Sequence, residues 1–470
     1  MSKAYITTAI PYVNGAPHLG HALDYLLADV YYRFLCSKGV EVRLQAGTDE
    51  HGNKVFKKAL DEQLSPQQFS DQNTAAFQDF IRKLGVTYTD FIHTTDPDHI
   101  RRCQAIWQKL ASHIYSDTYE GWYCEGCECY ITQTEYDETN GICPDHQKPY
   151  IKLSENNYYL RISDFKDRIK VAITTNEMRI VPEFRKKEFL NLLTNMPDVS
   201  ISRPKKQLSW GIPVPGDDTQ TMYVWLDALA NYITVLGYPD NDISDWWPAT
   251  VQIIGKDILR FHAGIWPAIL LGLDLPLPKT LLTHGHVTVD GVKISKSIGN
   301  VIDPLVALDR HGLDPFRYFC LRHISTIDDA DFSWDKYDSA YTDELANDLG
   351  NLVQRLSVMC QKYNISGQAL PKTSSARYDT LMNNFEFSTA FNHVWAQIQS
   401  INKAIDDTKP WEIAKSGDNA KLESTMTSLV HDLLVATTLL SPFLPATSEK
   451  ILTIFTAPQI TPPITPLFPK

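Results

Sequence analysis

The chain has 470 residues, of which 43% are hydrophobic and 21% charged, with 22 glycines and 27 prolines. These ordinary values exclude collagen-like, low-complexity and broadly disordered chains, and the length allows about three domains. The formal net charge of −12 argues against a partner made of phosphate, because nucleic-acid binders usually carry a basic surface.

The first 46 residues predict the opening of an α/β fold with a Rossmann-type parallel sheet. A buried strand at 4–10 is followed by a helical pattern at 18–38 and a second strand at 41–46. In such sheets ligands bind at the carboxyl ends of the strands. No apolar run approaches the roughly 20 residues of a membrane span. The N-terminus has neither a signal nor a transit pattern, so we expect a cytoplasmic protein without a membrane partner.

The pattern changes twice further along the chain. From about residue 116 to 221, turn-rich and cysteine-containing segments interrupt the α/β pattern, which resumes with a helix at 225–236 and strands at 251–254 and 280–283. After about residue 340, only helical periodicity remains. It is clearest at 341–363, 386–405 and 425–440.

Two histidines, His18 and His21, lie three residues apart where the first helix begins. The unpaired amides and the dipole at a helix start favour phosphate, and imidazole donors strengthen that preference. Gly20, between them, allows a ligand to approach the backbone. Taken alone, the pair fits capping or surface histidines equally well.

A second basic element, Lys293 and Lys296, lies in a glycine-flanked stretch about 275 residues after His18. Alone it is typical of a surface loop. Together, the HxGH and KxSKS elements resemble the two signatures of the class I aminoacyl-tRNA synthetases.

That resemblance implies a reaction in which an amino-acid carboxylate attacks the α-phosphate of ATP and pyrophosphate leaves. The residues implied as transition-state stabilisers are His18, His21, Lys293 and Lys296. Those implied in ATP binding are His18, Gly20, His21, Gly255, Asp257 and Lys296, with Asp257 on the ribose hydroxyls. Mg2+ is expected to accompany ATP.

Within this class, almost the whole chain resembles the methionyl-tRNA synthetases, through blocks at 9–12, 47–52, 223–228 and 283–285. The implied partners are methionine, ATP and tRNA(Met), both initiator and elongator. The implied methionine-binding residues are Ile10, Tyr12, Asp49, Trp225, Leu229, Tyr232 and His284. A thioether needs an apolar, aromatic cage, whereas Asp49 suits the ammonium group and His284 is expected near the sulfur.

The resemblance also implies the domain organisation. The predicted parts are the first half of the catalytic domain at 1–115, a connective insertion with a zinc knuckle at 116–221, the second catalytic half at 222–290, the KxSKS loop and a stem-contact region at 291–340, and an all-α anticodon-binding domain at 341–470.

Cys124, Cys127, Cys143 and His146 have the spacing of a two-knuckle zinc site. Four soft or borderline ligands suit tetrahedral Zn2+, and a closed set of four indicates a structural role. Cys129 is an alternative to Cys127, although the shorter Cys124–Cys127 spacing favours Cys127.

In the helical part, Asn351, Arg355 and Trp411 resemble anticodon-reading residues of the same family. Amide and guanidinium groups can hydrogen-bond exposed bases, and an indole can stack on one. A monomer is expected, because the chain ends soon after this part.

Two other functions compete with this prediction. A class I synthetase for cysteine would need a thiol near the first strand, where the nearest is Cys36, inside the predicted helix. A catalytically silent tRNA-binding protein on the same scaffold would not need the histidine and lysine elements, which are intact.

Overall fold

The structure, a computed structural model, describes residues 2–127, 129–289, 292–293, 302–371 and 375–469. Its strands, numbered in chain order, are β1 Lys3–Thr8, β2 Glu41–Thr48, β3 Asp90–His93, β4 Ile114–Cys124, β5 Cys129–Ile131, β6 Ile151–Leu160, β7 Arg179–Val181, β8 Val199–Ser200, β9 Ser202–Pro204, β10 Pro213–Val214, β11 Asp217–Met222, β12 Val251–Gly255, β13 Thr280–His284, β14 Val287–Val289, β15 Val292–Lys293 and β16 Ala330–Phe332.

Helices connect and cover these strands. The α-helices are α1 Leu19–Ser37, α2 Asn53–Asp61, α3 Pro66–Lys83, α4 Pro97–Lys109, α5 Gln133–Glu138, α6 Lys166–Thr174, α7 Glu183–Asn195, α8 Val224–Thr234, α9 Trp266–Gly272, α10 Pro304–His311, α11 Leu313–Arg322, α12 Trp334–Ser339, α13 Asn351–Lys362, α14 Ala376–Asn383, α15 Phe387–Thr408, α16 Pro410–Ser416, α17 Asn419–Leu440 and α18 Pro445–Thr456. Short 3-10 helices lie at Ala111–His113, Ile162–Asp164 and Lys256–Ile258, and π-helical segments at Phe261–Ile265 and Ala340–Gly350.

A six-stranded parallel sheet forms the centre of the molecule and confirms the predicted fold class. Its strand order is β3-β2-β1-β12-β13-β7, and every neighbouring pair is parallel. The chain adds β2 and β3 on one side of β1, then places β12 on its other side. This reversal opens a crevice at the carboxyl ends of β1 and β12, where ligands bind in such sheets.

The predicted insertion, residues 116–221, forms two small antiparallel sheets but is not wholly separate from the central one. β4 pairs with β6 along most of its length, flanked by β5 and β8, and β9 to β11 form the second sheet. The short strand β7 pairs with β13 as the edge of the central sheet. Three residues are too few to show a strand pattern in the sequence.

From residue 334 to 456, every secondary-structure element that the structure describes is a helix, as the periodicity predicts. The predicted helices correspond to α13 with the π-helical turn before it, to α15, and to α17, which packs against α15 and α18. One hydrophobic core runs from the α1 face of the sheet into these helices. In the part of the chain that the structure describes, no helix is both long and apolar enough to cross a membrane.

A buried ion pair connects α1, which packs on the central sheet, to the helical part. Arg317 on α11 lies 2.7 Å from Asp29 on α1, and both side chains are completely buried. Arg317 also donates to the carbonyls of Pro442 and Phe443, between α17 and α18. Arg33, which is partly exposed, holds the same Asp29 oxygen at 2.7 Å.

Replacing Arg317 with methionine should lower the free energy of unfolding by about 3–5 kcal/mol, because a buried carboxylate would lose its buried partner. Urea unfolding measures this change. The matched control is Arg33→Met, which removes the partly exposed partner of the same carboxylate and should cost about 1 kcal/mol. Equal losses in the two variants would contradict the role given to burial here.

Candidate active site

A cavity of about 510 Å³ lies at the carboxyl ends of β1 and β12. It brings together all the described residues predicted for ATP and methionine, namely Ile10, Tyr12, His18, Gly20, His21, Asp49, Trp225, Leu229, Tyr232, Gly255, Asp257 and His284. Lys296 lies outside the described residues, as does the side chain of Lys293. Cys36, the thiol that the cysteine alternative would have to use, does not line this cavity.

The start of α1 fixes the two histidines by hydrogen bonds to its own backbone. His18 Nδ1 accepts from the Gly20 amide at 3.1 Å, and His21 Nδ1 accepts from the His18 amide at 3.2 Å. A neutral imidazole that accepts at Nδ1 carries its proton on Nε2. The rings stack at 3.7 Å, so the cavity wall holds two neighbouring Nε2–H donors.

Gly20 is needed for this arrangement of His18. A Cβ atom at position 20 would lie 3.1 Å from Cε1 and 3.2 Å from Nδ1 of the His18 ring. Such contacts are tighter than usual, and a side chain here would push the ring away from the amide it caps.

Tyr12 and Asp49 are held side by side where β1 and β2 end. Their backbones form an isolated parallel bridge, and Asp49 is 9% exposed. The Tyr12 hydroxyl accepts from the Lys54 amide at 3.2 Å. A Cβ atom on Gly52, whose φ is +117°, would lie 2.2 Å from that hydroxyl, so this position requires glycine.

Helix α8 supplies one wall of the cavity through Trp225, Leu229 and Tyr232, which lie on one face. Trp225 stacks on Phe261 with ring centroids 3.6 Å apart. Phe261 begins a π-helical segment, a distortion that is frequent at functional sites.

His262, in the same π-helical segment, is a cavity residue that the sequence patterns did not indicate. Its Nδ1 donates to the Ile258 carbonyl at 3.1 Å, so Nε2 accepts from the Tyr232 hydroxyl at 2.8 Å. Burial lowers the pKa of His262 to about 4, which keeps the ring neutral. A lone histidine in an apolar stretch is the only sequence signal that could have pointed to it.

His284 lies in a different environment from His262. It lies beside Gly255, and its two ring nitrogens donate to Asp24 Oδ1 at 2.6 Å and to the Gly285 carbonyl at 2.8 Å. Burial by itself lowers the pKa of His284, but the charge of Asp24 and these hydrogen bonds raise it above its ordinary value. Asp24, three residues after His21 on α1, was also missed by the sequence patterns.

Asp257, predicted for the ribose, follows β12 at the rim of the cavity, and its side chain is 58% exposed. A Cβ atom on Gly255 would lie 2.9 Å from the Asp257 carboxylate. His286 Nε2 lies 3.6 Å from Asp257 Oδ1. Lys256, between Gly255 and Asp257, points instead to Asp329, at 2.6 Å.

The four predicted metal ligands come together at the tip of the β4–β6 sheet. Cys127 Sγ lies 3.6 Å from Cys143 Sγ and 3.4 Å from His146 Nδ1. The other ligand atoms are also within 4.8 Å of one another. In a tetrahedron with bonds of about 2.3 Å to sulfur and about 2.0 Å to nitrogen, neighbouring ligand atoms lie about 3.5–3.8 Å apart. These residues can therefore hold a metal ion.

Two further features favour a metal at this position. A Cβ atom on Gly126 would lie 2.3 Å from the His146 ring, so glycine there lets the ring approach the thiols. Burial and the charge of Lys54 lower the pKa of His146, which favours the neutral imidazole that binds metal.

Cys127 also lines the main cavity, so the metal site adjoins it. The side chain of Cys129 lies outside the described residues.

The three predicted anticodon residues lie in the helical part. Asn351 is exposed at the start of α13. Arg355 forms an ion pair of 2.7 Å with Asp406 near the end of α15. Trp411, in the first turn of α16, is only partly exposed, since one side packs against the helical core.

Comparison with known proteins agrees with this geometry. The family model described as tRNA synthetases class I (M) matches residues 4–150 and 145–357. The methionine–tRNA ligase of Clostridium acetobutylicum is 39% identical over 474 residues, which cover 96% of this chain and 73% of the relative. That of Thermotoga maritima is 36% identical, with coverages of 96% and 74%.

Solved structures with the same fold cover the whole chain. Mycobacterium tuberculosis methionyl-tRNA synthetase in complex with methionyl-adenylate has a TM-score of 0.93 and 31% identity, with 100% of both chains covered. Its apo form has a TM-score of 0.85 and 29% identity, with coverages of 100% and 98%. The family model, the relatives and the fold agree: the chain belongs to the methionyl-tRNA synthetases, a family of class I tRNA synthetases.

Proposed function

We propose that this chain is a methionine–tRNA ligase that joins methionine to ATP and then transfers methionine from the adenylate to the 3' terminal ribose of tRNA(Met). One observation carries the proposal. A single cavity holds the two Nε2–H donors at the start of α1 on one side, and an aromatic wall with a buried carboxylate on the other. The first group suits phosphate and the second suits a zwitterionic, apolar amino acid.

Methionine is recognised by charge at one end and by shape at the other. Asp49 binds the ammonium group, Ile10 lines the pocket beside it, and Tyr12 and Trp225 enclose the thioether with Leu229. Contacts between sulfur and aromatic rings supply only about 0.3–1.5 kcal/mol each. The shape of the pocket must therefore distinguish methionine from other amino acids. We assign the position near sulfur to the Tyr232–His262 pair rather than to His284, because this pair is neutral and its Tyr232 lies on the α8 wall.

Adenylate formation needs negative charge to be stabilised on the phosphates while the methionine carboxylate attacks and pyrophosphate leaves. His18 and His21 donate from Nε2 to the phosphate oxygens, and the backbone contacts at Nδ1 keep those donors oriented beforehand. Lys293, at the end of β15, and Lys296, three residues later in the sequence, add positive charge. The cavity also contains carboxylate oxygens of the kind that Mg2+ prefers. Bound together with ATP, Mg2+ would neutralise charge on the phosphate oxygens.

In this proposal, the nucleoside of ATP lies at the end of the cavity opposite the methionine pocket. Asp257 accepts from the ribose hydroxyls, and Gly255 allows the nucleotide to approach the end of β12. The His284–Asp24 pair lies beside Gly255, so it lines the nucleotide side of the cavity and not the thioether side.

Zinc is the metal that fits Cys124, Cys127, Cys143 and His146, since thiolate and imidazole ligands at tetrahedral spacing select it. Its role is structural, because four protein ligands leave no open position. Asn351, Arg355 and Trp411 are proposed to read the anticodon. A monomeric state, a cytoplasmic location and the domain boundaries stay predictions.

Methionine-dependent exchange of labelled pyrophosphate into ATP tests the proposed function. With all twenty amino acids compared, methionine should give the fastest exchange, because the aromatic cage excludes charged and branched side chains. Faster exchange with cysteine would favour the cysteine enzyme. Absence of exchange with every amino acid, combined with tRNA binding, would favour a catalytically silent protein.

Replacing Lys296 with alanine should slow methionyl-adenylate formation at least about 100-fold, because one charge on the transition state would be lost. Single-turnover formation of the adenylate measures the effect. Lys403→Ala, at an exposed position on α15, is the control and should retain the wild-type rate. A Lys296→Ala rate within a few-fold of wild type would exclude this lysine as a stabiliser.

Chelation should release close to one zinc per chain and lower the thermal stability of the β4–β6 sheet, because metal binding is coupled to folding of such knuckles. Metal analysis before and after treatment gives the stoichiometry, and Cys143→Ser gives the same loss by mutation. Cys320→Ser, a buried thiol outside the cluster, should leave the zinc content unchanged. A metal-free, fully folded wild-type protein would rule out the site.

A further inference from the structure

The face of α8 that points away from the cavity carries polar side chains that the proposed chemistry does not use. Asp227 stands two residues after Trp225 and two before Leu229, so it points away from the cavity on the opposite face of the helix. It is 1% exposed. Its two oxygens contact His51 Nδ1 and His99 Nε2, each at 2.7 Å.

These contacts join three separate elements. His51 follows β2 and stands two residues after Asp49, whereas His99 belongs to α4. The other nitrogen of His99 lies 2.7 Å from the hydroxyl of Thr234. His99 therefore holds α8 at two positions seven residues apart, and His51 connects the same helix to the strand end that carries Asp49.

A hydrogen-bonded network explains this cluster better than a second metal site. His99, Cys103 and Asp227 could supply three ligand atoms within 4.8 Å of one another. However, His99 Nε2 and Asp227 Oδ1 are only 2.7 Å apart, whereas nitrogen and oxygen ligands of a tetrahedral ion lie about 3.3 Å apart. Burial also raises the pKa of the Cys103 thiol well above its ordinary value, which keeps it protonated.

The network has a balanced set of donors and acceptors. Burial by itself raises the pKa of the Asp227 carboxyl, but the charge of His51 and hydrogen bonds from both histidines hold it below its ordinary value. An ionised carboxylate thus accepts from two imidazole N–H groups. Because an unpartnered buried carboxylate or imidazole is costly, the network resists relative movement of the three elements.

We infer that His51, Asp227 and His99 are positioning residues for methionine. They fix α8 against the end of β2 and thereby set the distance between the aromatic cage and Asp49. This inference rests on the proposed function, since methionine is the ligand it concerns. The groups proposed for ATP belong to other segments, at the start of α1 and after β12.

The inference predicts a selective loss of methionine affinity. In pyrophosphate exchange, Asp227→Ala and His99→Gln should each raise KM for methionine at least 10-fold and leave KM for ATP within two-fold of wild type. Equilibrium dialysis with labelled methionine should show the same weakening without turnover. An unchanged KM for methionine, or equal rises in both KM values, would overturn the inference.

Two comparisons separate positioning from a general loss of stability. Tyr378→Phe removes a buried hydrogen bond to the Leu439 carbonyl in the helical part, and it should leave both KM values unchanged at a comparable loss of Tm. Asp227→Asn keeps the shape and one acceptor, so it should partly restore methionine binding relative to Asp227→Ala. It also remains testable if Asp227→Ala fails to fold.

Coupling within the network gives a further readout. In a double-mutant cycle, the effects of Asp227→Ala and His99→Gln on methionine binding should be non-additive, because both remove the contact between these two side chains; additive effects would contradict a shared network. Loss of a second equivalent of zinc in His99→Gln would overturn the hydrogen-bond assignment.

Absence of methionine-dependent exchange in the wild type would refute the proposed function. Normal exchange in the wild type, together with variants whose KM for methionine is unaltered, would refute this inference alone.

Discussion

The cavity depends on the junction between β1 and β12, where the chain reverses the direction in which it adds strands to the sheet. Because all six strands are parallel, their carboxyl ends meet at one edge. The segments that leave β1, β2 and β12 carry the histidines, Asp49 and Asp257 to that edge. The hydrogen-bonded ladders thus fix the relative positions of groups that lie far apart in the sequence. Helix α8 contributes the remaining wall and is joined to the sheet through buried polar contacts.

Three kinds of histidine environment within this one cavity show how the fold assigns a protonation state. At His18 and His21, backbone amides occupy Nδ1 and leave the proton on Nε2, so the donors are oriented before any charge develops. At His262, burial outweighs the charge of Asp257 and keeps the ring neutral. At His284, a carboxylate at 2.6 Å offsets the same burial and favours the charged ring. The hydrogen-bond partner of each ring, more than the extent of its burial, determines its protonation state.

The sequence predicted those features that depend on local order. Strand, helix and turn patterns indicated the parallel sheet and the helical part, and fixed spacing indicated the ligand set of Cys124, Cys127, Cys143 and His146. It did not indicate His262, Asp24 or β7, because their roles arise from contacts with distant residues or from a strand of only three residues. For the same reason the patterns could not show that Trp411 packs partly against the core. A position near a helix start predicts exposure only when no neighbouring helix covers it.

The net charge of −12 is compatible with a tRNA partner once burial is considered. Arg317 is completely buried in its pair with Asp29, so it is committed to the fold. The Arg355–Asp406 pair, by contrast, lies at the surface, with side chains 34% and 62% exposed. Surface pairs of this kind are worth about 0–1 kcal/mol, and a base or phosphate can replace Asp406 at little cost. Arg355, proposed above to read the anticodon, can therefore be held in a weak surface pair in an acidic protein, which leaves specificity to base contacts and stacking.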